Sequence, residues 1–210
     1  QRSARSKRMK TIILGPPGTG KTTTLLNLVD EFIQQGIRPK QIGYFSFTKK
    51  AATEAANRAA IKFELDAEND LENFRTLHSY AFKMLGMTKE KMMSASDYKE
   101  FGQKCGIPIK TAKFSTEDGT FNSDNEYLTI INTARVRQMD LLEYYDSRQN
   151  ILDIERGTLY LISEELKRYK SEKRLKDFTD LLQDFLDQQI KSKFEVLFID
   201  EAQDLSLLQW

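Results

Sequence analysis

The stretch GPPGTGKT, Gly15 to Thr22, constrains this chain more than any other. Glycine, four free positions and then Gly20-Lys21-Thr22 stand between the apolar run Thr11-Ile12-Ile13-Leu14 and a helical pattern that begins at Thr22. Strand before and helix after is the setting in which this spacing grips phosphate. Gly15, Gly18 and Gly20 let the backbone turn through conformations closed to other residues and bring its N–H groups toward phosphate oxygens. The N-terminus of the following helix adds its positive dipole end. Lys21 is expected to reach the β- and γ-phosphates as a point charge, and the Thr22 hydroxyl to ligate Mg²⁺. Pro16 and Pro17 stiffen the loop, and Thr19 and Thr23 complete the expected nucleotide contacts. The plainer alternative is a glycine turn that binds nothing.

A chain of 210 residues is long enough for one large domain or two small ones. Lys and Arg number 32 against 31 Asp and Glu, so the net charge of +1 does not itself announce a nucleic-acid partner. One cysteine, Cys105, excludes an internal disulfide, and one histidine, His78, leaves no Cys/His cluster of zinc spacing. A cytoplasmic, soluble protein without a membrane span or secretory signal is the expectation.

The basic opening, with Arg2, Arg5, Lys7, Arg8 and Lys10, reads as a solvated terminus or as an arm for phosphates. Thr11 to Leu14 reads as a strand buried on both faces, and Leu25, Leu26, Leu28, Val29, Phe32 and Ile33 recur at helical spacing until Gly36. Gln41 to Phe47 reads as a second strand, followed by an alanine-rich helix from about Lys50 to Phe63 whose small-residue face can pack closely on a sheet. This alternation predicts a parallel sheet with right-handed crossovers. Phe74-Arg75-Thr76 reads as a short strand leading into a helix bearing Leu77, Ala81, Met84 and Leu85. From Gly86 to about Lys176 the patterns are helical without a convincing buried strand. One runs from Tyr127 to Tyr145, another from Leu159 to Tyr169, and Gly106 to Asn125 is read as a long loop. A last amphipathic helix carries Phe178, Leu181, Leu182, Phe185, Leu186 and Ile190, and Phe194 to Ile199 reads as a buried strand that runs straight into Asp200-Glu201-Ala202-Gln203-Asp204.

Mg²⁺ held between β- and γ-phosphates calls for a carboxylate at the end of a neighbouring strand, and Asp200 is placed for it. Glu201 cannot point the same way and is suited to take a proton from an attacking water or to orient it. Alone, an Asp-Glu pair after an apolar strand is often a solvated turn; joined to the glycine loop, it reads as the second half of one site.

FIDEAQDLSLLQW resembles the Asp-Glu-x-Gln-Asp motif of superfamily 1 DNA helicases of the UvrD/Rep type. SFTKKAATEAANR, Ser46 to Arg58, is similar to that family's first DNA-contacting motif. FRTLHSYAFKML, Phe74 to Leu85, resembles its Thr-aromatic-His-Ser motif with Leu77 at the aromatic position, and DFTDLL, Asp177 to Leu182, resembles the segment that closes its helical insertion. The resemblance covers nearly the whole chain in motif order, although 86–176 agrees only in position and helical character.

The resemblance implies a RecA-like P-loop NTPase fold: an α/β parallel sheet with helices on both faces and a mostly helical inserted subdomain. Residues 1–85 and 177–210 would form the two segments of the ATP-binding domain, and 86–176 the insertion. It implies ATP and Mg²⁺ as cofactors, with Lys21 and Thr22 binding triphosphate and metal, Asp200 holding Mg²⁺, Glu201 as catalytic base and Gln203 sensing the γ-phosphate. It further implies single-stranded DNA as partner, met by Phe47, Thr48, Lys49, Thr76 and His78, with movement 3′ to 5′. A protein of this type needs a second RecA-like domain bearing arginines, so the 210 residues are expected to be the N-terminal, weakly active part of a monomeric helicase. Gln1 lies near the family spacing for the glutamine that reads adenine, but the surrounding motif is missing. A non-motor nucleotide switch, a DNA-binding module and a P-loop kinase remain as alternatives.

Overall fold

The computed structural model describes residues 10–16, 18–115, 120–148 and 153–210. Gln1, the basic residues before Lys10, Pro17 and Gly119 lie outside the described residues. Eight α-helices and two small sheets make up the described part.

The larger sheet has three parallel strands in the order β2 (Phe74–Arg75), β1 (Ile42–Phe45), β5 (Val196–Ile199). In register, Tyr44 of β1 lies level with Phe74 on one side and with Phe198 on the other. Alternation along β1 sends Tyr44 and Phe45 to opposite faces, and both faces carry helices. On the Tyr44 face lie α1 (Lys21–Gln34), contributing Leu26 and Val29, and α2 (Lys49–Phe63), contributing Ala55, Ala56 and Ala59. The alanines keep α2 close to the sheet, as their spacing predicted. On the Phe45 face, α3 (Leu77–Met84) brings Tyr80 to 5.2 Å from the Phe45 ring between centroids. Tyr80 also meets Phe185 of α8 (Phe178–Asp187), so α3 and α8 share that side. Ala81, Leu181, Leu182 and Leu208 form the small core between them.

Thr11–Leu14 departs from its expected role as a buried strand. Residues 11–16 have no strand pairing, and Ile12 and Leu14 are 82% and 88% exposed. The physical reason is the missing ladder: a strand needs a hydrogen-bonded neighbour, and β5 forms the edge of this sheet with Leu197 half exposed.

Between α3 and α8 the chain builds a second core. It is formed by α4 (Ala95–Cys105), α5 (Glu126–Val136), α6 (Leu141–Asp146), α7 (Arg156–Lys173) and the antiparallel hairpin β3 (Ala112–Ser115) and β4 (Thr120–Ser123). Phe101, Leu128, Leu159, Ile162, Leu166 and Tyr169 are among its buried members. The hairpin replaces part of the long loop expected over 106–125. The single helical pattern expected from Tyr127 to Tyr145 is two helices, because Gln138 turns left-handed (φ 53°) and Asp140 caps the next helix through the Leu142 and Glu143 N–H groups. Chain entry and exit are tied together, Met93 N–H donating to the Lys176 carbonyl and Lys176 N–H to the Lys91 carbonyl.

An ionic node fastens this unit to α8. Asp177 caps α8 through the Asp180 N–H, and its carboxylate accepts from Arg135 of α5 and from Lys170 of α7, each at 2.7 Å. Burial by itself would raise the Asp177 carboxyl, but Lys170 and Arg135 outweigh burial and hold it well below the usual carboxylate range. A depressed carboxyl stabilises the fold above its ordinary value of 3.8 and loses that contribution as pH falls further. Removing one member strands the others' charge, so Asp177→Ala is expected to cost about 3–5 kcal/mol. Urea unfolding at neutral pH, compared with an exposed-site control such as Asp187→Ala, measures it.

Candidate nucleotide site

The glycine loop and the Asp-Glu turn meet at the C-terminal end of the parallel sheet, where α/β sheets present their loops to ligands. Gly18 and Gly20 stand at φ 78° and 81°, the left-handed region that glycine tolerates, and α1 starts directly after Gly20. Within the loop, Thr19 Oγ1 donates to the Pro16 carbonyl at 2.7 Å and Lys21 Nζ donates to the same oxygen at 3.2 Å. Gly15 is close-packed: a Cβ there would lie 2.7 Å from Thr19 Oγ1.

Thr22 Oγ1 donates to Asp200 Oδ2 at 2.9 Å, joining residues 178 positions apart. Tyr44 Oη donates to the same oxygen at 2.8 Å from the middle of the sheet, and the Glu201 N–H reaches Asp200 Oδ1 at 3.1 Å. Asp200 is only 4% exposed and Tyr44 is fully buried, its ring stacked on Phe74 at 5.0 Å. Burial, then the Asp200 charge and its hydrogen bond, pushes the Tyr44 phenol far above its ordinary value. Tyr44 therefore remains a donor at any working pH.

The donor set suits a hard divalent cation. Thr22 Oγ1 and Asp200 Oδ2 are hard oxygen donors already in contact, one a hydroxyl and one a buried carboxylate. Among the described residues, no three His, Cys, Asp or Glu side chains gather as a self-contained metal cage. Phosphate and water would supply the remaining ligands of such an ion, as Mg²⁺ prefers.

Glu201, directly after Asp200, takes a left-handed backbone (φ 52°). Its carboxylate accepts from the Gln203 side-chain amide, and Gln203 is exposed. Thr23, next to Thr22, accepts at 2.9 Å from Arg58 of α2. Tyr44 and Arg58 were not foreseen as site residues. The aromatic strand gave no sign of which ring would face Asp200, and Arg58 entered only as the last residue of the Ser46–Arg58 segment.

The residues expected to meet DNA occupy one region, in differing environments. Phe47 is half-buried just past β1, outside the three apolar cores. Thr48 caps α2 by accepting from the Ala51 N–H at 3.1 Å, and Lys49 is exposed. Thr76 caps α3 in the same way through the Ser79 N–H. His78 is covered: 8% exposed, with its ring 4.6 Å from Phe114 of β3 and 5.8 Å from Phe178. The Phe114 and Phe178 rings thus cover the His78 ring, in contrast to the exposed Lys49.

A parallel α/β sheet with a glycine loop and a buried aspartate meeting at one end is compatible with a RecA-like domain. The chain belongs to the UvrD/REP helicase N-terminal domain family, which matches it over residues 1–210. The family is one of ATP-hydrolysing helicases that act on DNA. No curated protein matches the chain. Among the described residues, no helix is long and apolar enough to cross a membrane.

Burial pushes His78 down to about 4 from its ordinary 6.5. The native ring refuses a proton that the unfolded chain accepts. Stability is therefore unaffected above pH 6.5 and falls as pH drops from there toward 4, by up to about 3 kcal/mol. In urea titrations at pH 7 and 4.5, wild type is expected to lose more stability than His78→Gln.

Proposed function

We propose that this chain is the ATPase part of a DNA helicase or translocase that moves along single-stranded DNA, 3′ to 5′, as a monomer. In this reading residues 1–85 and 177–210 form the RecA-like ATP-binding domain, and 86–176 the inserted subdomain. A second RecA-like domain supplies arginines to the γ-phosphate. Without them the chain hydrolyses ATP weakly, since such arginines are worth roughly 10³ to 10⁵ in rate in phosphate-transfer enzymes.

The observation that carries the reading is the Thr22–Asp200 contact, which joins the two sequence motifs at one point. Backbone N–H groups of Gly18 to Thr23, with Lys21, bind the triphosphate, and Thr22 and Asp200 are the protein ligands of Mg²⁺. Held by Thr22 and Asp200, such an ion would supply neutralisation of phosphate charge. Lys21, held to a loop carbonyl here, exchanges that partner for phosphate. Glu201 orients the attacking water and accepts its proton, and Gln203, bonded to the Glu201 carboxylate, relates that base to the γ-phosphate. Phe47 stacks on a base, with Thr48 and Lys49 at the backbone; stacking serves any sequence because every base has a π-face. Thr76 and the covered His78 support this surface from α3.

The decisive assay is ATP hydrolysis with and without single-stranded DNA, with this chain joined to its second RecA-like domain. DNA is expected to stimulate turnover, and Glu201→Gln to lower it by roughly 10²–10⁴. Turnover that ignores DNA would leave a nucleotide switch in place of a motor. Lys21→Ala is expected to abolish triphosphate binding measured by fluorescence titration. Phe47→Ala should weaken DNA binding by about 1–3 kcal/mol while ATP affinity stays the same; full DNA affinity in that variant would return Phe47 to a packing role.

A further inference from the structure

Asp200 Oδ2 accepts two hydrogen bonds of different kinds. Thr22 approaches from the start of α1, on the side where nucleotide would bind, whereas Tyr44 approaches from within the sheet. The Tyr44 donor is fixed on every side: the residue is fully buried, its ring lies flat against Phe74 with planes 7° apart, and Phe198 closes a further side at 6.2 Å. A carboxylate on a strand end has free torsions about its own side chain, and two opposed donors at one oxygen remove them. A cation that takes a lone pair of the Thr22 hydroxyl as ligand would pull on that side of the carboxylate, whereas the Tyr44 donor, set in the core, stays where packing puts it.

We propose that Tyr44 is a positioning residue for the metal site, its phenol holding the Asp200 carboxylate in the orientation that binds a divalent cation beside bound nucleotide. This rests on the reading of Thr22 and Asp200 as metal ligands. Hydrogen-bonded partners behind a metal ligand fix its geometry and basicity, and their loss commonly costs 10- to 100-fold in metal affinity. The hydroxyl does this from the hydrophobic core, where its position is determined by packing rather than by solvent. Phenylalanine preserves the ring and its stacking on Phe74, so Tyr44→Phe isolates the hydroxyl. Arg58, whose charge reaches the phenol, remains on Thr23 in that variant.

The test uses the 210-residue chain with a fluorescent ATP analogue and Mn²⁺ as metal probe, read by nucleotide fluorescence and independently by the electron paramagnetic resonance of free Mn²⁺. Tyr44→Phe is expected to raise the Mn²⁺ concentration for half-saturation of the nucleotide complex by roughly 10-fold or more, while nucleotide binding in chelator and the circular dichroism spectrum stay as in wild type. In an Asp200→Asn background, Tyr44→Phe should add no further shift. An unchanged Mn²⁺ requirement in Tyr44→Phe, or a loss of affinity equal with and without metal, would overturn the role of Tyr44 while leaving the metal site intact. Wild-type protein whose nucleotide binding ignores Mn²⁺ would instead overturn the metal site itself, and the role of Tyr44 with it.

Discussion

One carboxylate oxygen, Asp200 Oδ2, joins the start of α1 to the middle of the sheet. The glycine loop is exposed, and the apolar segment before it is not hydrogen-bonded into the sheet, so strand pairing does not set the loop's position. What sets it is α1, anchored by Leu26 and Val29 in the core, and the hydrogen bond from Thr22 at the start of that helix to Asp200. Asp200 is itself placed by β5 in register with β1 and by Tyr44 behind it. The order of dependence runs from sheet register to carboxylate to loop.

The inserted unit follows a different logic. Its core is its own, and it meets α8 through an ionic node, in which two cations from α5 and α7 converge on the paired acids at the start of α8, together with the Thr179–Asn132 hydrogen bond and an aromatic stack. Such a node contributes geometry more than net stability, because desolvation offsets much of the attraction. It fixes where Phe178 stands, and Phe178 stacks on Phe114 of the hairpin at 4.1 Å, over His78. The region of the expected DNA contacts is therefore bordered by residues whose position is set from the insertion.

Legibility in the sequence followed how strictly chemistry dictates residue type. GPPGTGKT and DEAQD stand out because their residue types and spacing are specific, and their convergence, which the sequence led one to expect, is seen in the Thr22–Asp200 hydrogen bond. The alanine face of α2 was readable from helical periodicity alone, as Ala52, Ala55, Ala56 and Ala59 are buried. Tyr44 was not, since its role depends on strand register and on a partner 156 positions away. The β3–β4 hairpin escaped because its strands are four residues each and its exposed positions are polar. Thr11–Leu14 has the composition of a strand, but composition cannot provide the neighbour a strand needs.

Helix α2 begins at the Thr48 cap and, nine residues beyond Lys49, ties back through Arg58 to Thr23. Those two points are about 14 Å apart along a stiff rod. The rod is seated on the sheet by methyl groups, which offer a smooth bearing rather than interlocking teeth. One helix therefore carries, on a single rigid element, the cap that follows β1 and the side chain that holds the start of α1.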